Sequence, residues 1–98
     1  MVAQGRHEQA VEAWSAALAD DPDDPEAFLG RARCMRRLGH WENAFADLER
    51  AAERAPDGSR LLTRVTLDYL ACLPARRNRL PRVVELARRA LLGSPSGR

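Results

Sequence analysis

Lysine is absent from this chain: all 16 basic side chains are arginine. The bias reads first as GC-rich coding and second as selection for the bidentate anion contacts that a guanidinium makes and an ammonium does not. Aromatic residues are scarce, at 5%. Few rings are therefore on hand to stack on bases, which lowers a nucleic-acid-binding reading. The core must instead come from many small Ala and Leu contacts, and these are the best helix formers. The only cysteines, Cys34 and Cys72, fall inside apolar helical patterns. Two such residues make neither a disulfide framework nor a structural metal site. They read as small buried hydrophobes in a reducing, cytoplasmic setting. No long apolar run is present. Arg6, Glu8, Glu12 and Asp20 interrupt the first 30 residues, which argues against a secretory signal. Tyr69 to Ala75, an uncharged and mostly apolar run of the C-terminal half, is too short to span a membrane. A phosphate-cradling glycine loop is missing. His7 and His40 have no Ser or Cys arranged beside them for nucleophilic attack. The acids between Asp20 and Asp24 lack the spacing of a calcium loop and read as turn and capping residues. The expectation is a non-enzyme without catalytic residues, metal or cofactor.

What the chain does contain is self-similarity. Gly5, His7, Ala10, Trp14, Ala17 and Pro22 reappear 34 positions on as Gly39, Trp41, Ala44, Leu48, Ala51 and Pro56. Small residues at fixed places and a closing proline, at that period, mark a helical solenoid. With 98 residues and 10.9 kDa there is room for one domain of two to three units. His7 to Asp20 places Ala10, Val11, Trp14, Ala17 and Leu18 on one helical face. A second helix is expected from Asp24 as N-cap and Pro25 at the first position to Leu38, with Phe28, Ala32 and Met35 inward and Gly39 reversing the chain. A third follows over Trp41 to Ala55, carrying Ala44, Phe45 and Leu48 and closed by Pro56-Asp57-Gly58. A fourth, Ser59 to Leu73, buries Leu62, Val65, Tyr69 and Cys72. The register then slips, because Ala51 and Pro56 find their counterparts at Ala90 and Pro95, 39 positions on. Five extra residues therefore belong to the turn from Leu73 to Asn78. Asn78 takes the place of Gly39 and is expected in left-handed geometry. Pro81 opens a fifth helix ending near Leu92, with Gly93 as cap and Ser94 to Arg98 as an unstructured tail.

Charge is unevenly spread. Residues 1–24 hold one Arg against six acids, a balance of −5, and residues 25–98 hold 15 Arg against eight acids, a balance of +7. The net +2 is too small to imply nucleic acid. The asymmetry predicts an electric dipole along the molecule.

These residues resemble the tetratricopeptide repeat, whose pattern has a small residue at slot eight, Gly at fifteen, an aromatic at seventeen, Ala at twenty and twenty-seven, and Pro at thirty-two. The middle repeat fills those slots with Ala32, Gly39, Trp41, Ala44, Ala51 and Pro56. The resemblance covers about Gly5 to Pro95. It implies an all-α, right-handed α-solenoid of antiparallel helix pairs, about five helices, divided as a half repeat over 5–24, a full repeat over 25–58 and a divergent repeat over 59–95. Two departures stand out: Arg31 at the normally apolar seventh slot, and the five-residue insertion. The chain enters its first repeat at slot eleven. Trp14 is therefore expected to face the position of an absent helix, where an uncovered indole of ~200 Å2 would offer a partner ~25 cal/mol per Å2. Burial of Trp14 in a longer parent protein is the simpler account.

By resemblance, the chain is a noncatalytic adaptor that binds an extended, acidic peptide on a concave wall formed by the first helix of each repeat. The groove slots carry Arg33, Arg36 and Arg37 on one helix, and Arg60, Arg64 and Leu67 on the next, together with Glu26, Leu29, Gly30, Thr63, Leu70 and Ala71. Guanidinium forks pair bidentately with carboxylates. Arg60 and Arg64 match two basic positions of a carboxylate clamp used by some family members. Gly30 replaces that clamp's Asn, and its first-repeat residues fall before Met1, so a full clamp is not encoded. Arg76, Arg77, Arg79 and Arg82 read as an exposed basic loop. The alternatives are a basic solenoid that binds nucleic acid, with few aromatics to support it, and a segment that self-assembles, its acidic start docking on a basic end.

Overall fold

Asp-Asp-Pro, Gly39, Pro56-Asp57-Gly58 and a pair of tight turns punctuate the chain into five α-helices. The computed structural model describes residues 2–92: α1 (Val2–Asp20), α2 (Pro25–Arg37), α3 (Trp41–Arg54), α4 (Arg60–Cys72) and α5 (Leu80–Leu92). The described residues are all helix and turn. Gly93 as a cap, Pro95 and the tail lie outside them. The first helix begins five residues before the expected His7.

The local reasons are visible at each end. Asp24 Oδ1 accepts from the Glu26 amide at 3.0 Å, and Pro25 and Glu26 occupy the first turn of α2. Arg36 and Arg37 complement its C-terminal dipole. The His40 amide reaches the Met35 carbonyl at 2.8 Å across Gly39, whose φ of 81° only glycine adopts without strain. Ser59 Oγ caps α4 through the Leu62 amide at 3.1 Å. The C-terminus of α3 is closed from a distance, as Arg89 Nη2 donates to the Ala55 carbonyl at 2.8 Å and Arg89 Nε to Asp57 at 2.7 Å.

The lengthened corner differs from expectation. Leu73–Ala75 and Arg77–Arg79 form two 3-10 turns, and Asn78 sits inside the second. Among the described residues no side-chain-bearing residue has a positive φ. With five extra residues the reversal is spread over two tight turns, so no single residue has to adopt left-handed geometry.

Each helix packs chiefly on its sequence neighbours, and α2 also meets α4, giving a thin slab of 49 × 32 × 17 Å. One continuous core runs through it, from Leu18 through Phe28 and Leu29, Phe45 and Leu48, Leu62 and Tyr69, to Leu86. Ala44 is fully buried, which lets its helix approach its neighbours closely. The rings of Phe45 and Tyr69 lie 5.0 Å apart.

One expectation is corrected here and one departure is explained. Trp14 does not face an absent helix. It is half-buried against the core, and a Cβ added to Gly30 would overlap its Cε2 and Cζ2 atoms. The missing side chain at Gly30 is thus the recess that receives the indole. Arg31, at a slot expected to be apolar, holds Asp47 bidentately at 2.8 and 2.9 Å and donates to Ser15 Oγ at 3.0 Å. One guanidinium thereby links α1, α2 and α3, and satisfies a carboxylate that is nearly inaccessible to water.

Candidate functional site

The six residues singled out for a groove lie on α2 and α4, and the structure divides them into two groups. Arg33, Arg36 and Arg37 line one pocket of about 240 Å3 together with His7 of α1 and Cys34. Arg60, Arg64 and Leu67 lie on α4. Arg60 and Leu67 are exposed and Arg64 is half-buried. The two helices run in the same direction, since Glu26 meets Arg64 and Arg33 meets Asp68. The first group therefore sits towards one end of the wall and Arg60 towards the other.

Two of the five arginines are already engaged. Arg33 Nε donates to Asp68 at 2.7 Å, and Arg64 Nη1 to Glu26 at 2.9 Å. Both pairs tie α2 to α4 across the wall, and both are open to solvent. Such pairs contribute about 0–1 kcal/mol, so a competing carboxylate meets little resistance. Arg36 is placed differently. Its Nε is buried and has no hydrogen-bond partner among the described residues. An unmatched buried donor costs about 1–3 kcal/mol. Burial pushes the Cys34 thiol up in spite of Trp14 and Arg37, so it stays protonated and is not a nucleophile.

Other groove slots are closed. Leu29 is fully buried, and Gly30 lies under Trp14. On α4, by contrast, Leu67 and Leu70 are 59% and 47% exposed, making an apolar strip beside the basic residues.

The basic corner read as a solvated loop is mostly neutralised. Arg76 and Arg79 clasp Glu42 at 2.7 and 3.0 Å, and Arg82 binds Glu49 at 2.7 Å and Glu85 at 3.1 Å. Arg79 also lies 4.4 Å from the centroid of the Phe45 ring. Burial alone would raise the Glu49 carboxyl. Hydrogen bonds from Arg82 and Tyr69, with the charges of Arg82 and Arg79, outweigh that effect and hold it below the usual carboxylate range. Arg77 has no carboxylate within ion-pair distance among the described residues. It borders a cavity of about 370 Å3 lined by Leu70, Leu73, Pro74 and Leu80. Among the described residues, no group of three or more His, Cys, Asp or Glu side chains is placed to hold a metal ion, and no helix is long and apolar enough to cross a membrane.

A family model described as tetratricopeptide repeat matches residues 2–59, more than half of the chain. The chain belongs to the tetratricopeptide repeat family. Searches of curated proteins and of solved structures gave no match. Tetratricopeptide repeats are in general noncatalytic modules that mediate protein–protein interaction, and a wall of helices carrying basic and apolar side chains suits that role. The tetratricopeptide match ends at Ser59, one residue before α4. The part of the wall formed by Arg60, Arg64 and Leu67 rests on geometry alone.

Proposed function

We propose that this chain is an adaptor that captures an extended, acidic segment of a partner protein along α2 and α4. The observation that carries this reading is the pocket at the end of α2. Arg33, Arg36 and Arg37 line it together. A partner carboxylate placed there gains charge-assisted hydrogen bonds from a preformed cationic surface. Arg60 and Arg64 would extend the contact along α4, with Leu67 taking an apolar neighbour. Free thiols at Cys34 and Cys72 suit a reducing, cytoplasmic setting.

The test is fluorescence anisotropy with a fluorescein-labelled hexaglutamate peptide at low ionic strength. Charge reversal at Arg36 and Arg37 together is expected to weaken binding by about tenfold or more, with an unchanged circular dichroism spectrum. Retained affinity in the folded double variant would remove the reading.

A second reading, self-assembly, has one observation behind it: Val84 and Leu91 stand 50% and 76% exposed on α5, at the basic end of a chain whose first 24 residues are acidic. Light scattering that gives a monomer mass at low and at high salt would exclude it.

A further inference from the structure

We infer that the corner between α4 and α5 is a second receptor, built for an aliphatic or aromatic side chain with a carboxylate one or two positions away in a partner peptide. The argument starts from the insertion. A shorter connection would pass directly from α4 to α5. Here two 3-10 turns intervene, and Leu73 and Pro74 of the first turn, with Leu70 of α4 and Leu80 of α5, line a cavity of about 370 Å3. That volume falls in the range of small-ligand sites, about 300–1,000 Å3. Its walls are left uncovered at a cost, since Leu70 and Leu80 are each about half exposed. Leu67 lies one helical turn before Leu70 on the same face, so the apolar surface continues from the α4 wall into the cavity.

Charge identifies the occupant. Four arginines cluster at this corner, and the fold consumes three. Arg76 and Arg79 are bound to Glu42, and Arg82 to Glu49 and Glu85. Arg77, the fourth, lines the cavity itself and is exposed. An apolar hollow with one uncommitted guanidinium at its edge complements a leucine- or phenylalanine-like group beside a carboxylate, the apolar part supplying burial and the acid a directed ion pair. Residues 93–98 carry no carboxylate side chain and no apolar one larger than proline. The site is separate from the pocket at Arg36 and Arg37 and does not depend on it.

The experiment is an amide NMR titration of the full chain with the peptide Glu-Glu-Leu-Phe-Glu-Glu, run beside Glu-Glu-Ala-Ala-Glu-Glu. Saturable shifts centred on Leu70, Leu73, Arg77 and Leu80, with the alanine peptide weaker by about tenfold, are expected. Arg77→Glu should lower the affinity read at these corner amides by about tenfold, and the same charge reversal at the exposed Arg88, which lines neither pocket, should leave it unchanged. The Leu80→Ser variant gives an independent reading, because Leu80 is half exposed and its loss spares the core. Still amides at the corner, equal binding of the two peptides as read at those amides, or equal loss in Arg77→Glu and Arg88→Glu would overturn the inference. Concentration-dependent shifts at the same amides without peptide would overturn it too, by showing that a second copy fills the cavity.

Discussion

At Gly30 the ordinary effect of a residue change is reversed by its surroundings. Replacing an interior helical glycine by alanine usually adds about 0.5–1 kcal/mol of stability. Here the added methyl would collide with the Trp14 indole, so Gly30→Ala is expected to lose about 1–3 kcal/mol, measurable by urea denaturation with a concurrent change in tryptophan emission. Arg31 makes the second residue-scale case. Arg31→Ala would strand the buried Asp47 carboxylate. A loss of about 2–3 kcal/mol is expected, less than for a fully buried pair because the Arg31 side chain is a quarter exposed. The double variant Arg31→Met with Asp47→Leu should fall within about 1 kcal/mol of the parent, because an apolar pair avoids the stranded charge. A stability near that of Arg31→Ala would refute this. Sequence marked position 31 as unusual but could not supply its partner, since Asp47 lies on another helix and only packing brings the two together.

Among elements, α3 and α5 are joined by an acid-sensitive clasp. The Glu49 carboxyl is held below its ordinary value in the folded chain. Its contribution to stability is therefore complete above the unfolded value, about 4.3, and is lost as pH falls through the lower folded one. Thermal melts should show a decline in Tm below about pH 4.5 that is shallower in Glu49→Gln. Identical declines would place the acid sensitivity elsewhere. Helix positions were legible in the sequence because caps and breakers are local: Asp24, Pro25, Gly39 and Ser59 act within a few residues of themselves. The corner after Cys72 was legible only as extra length. How five residues are spent depends on what Leu73 and Pro74 find to rest against, and a single left-handed Asn78 was the wrong solution.

Across the whole molecule, the ion pairs reveal the repeat more directly than the apolar pattern does. Glu42 and Arg76 are 34 positions apart, Glu49 and Arg82 are 33 apart, and Arg33 and Asp68 are 35 apart. Stacked units set equivalent slots side by side, so opposite charges about one period apart were a signal present in the sequence and not used. The arginines of α2 and α4 were singled out by slot, but the ion pairs that hold Arg33 and Arg64 were not, and neither was the cavity beside Arg77. Because one core cluster runs from α1 to α5, the array is too short for its units to melt separately. Tryptophan fluorescence and helical circular dichroism should report the same urea midpoint. Distinct midpoints would show units that unfold independently.

The ties from Arg33 to Asp68 and from Arg64 to Glu26 have one more consequence. A visitor bearing a lone carboxylate merely exchanges one ion pair for another and leaves Asp68 or Glu26 stranded, so it gains almost nothing. Only a ligand that also reaches the pocket lined by Arg36 and Arg37 comes out ahead. The wall would thus count negative charges on its visitors, responding steeply to how many they carry in a row and hardly at all to any single one.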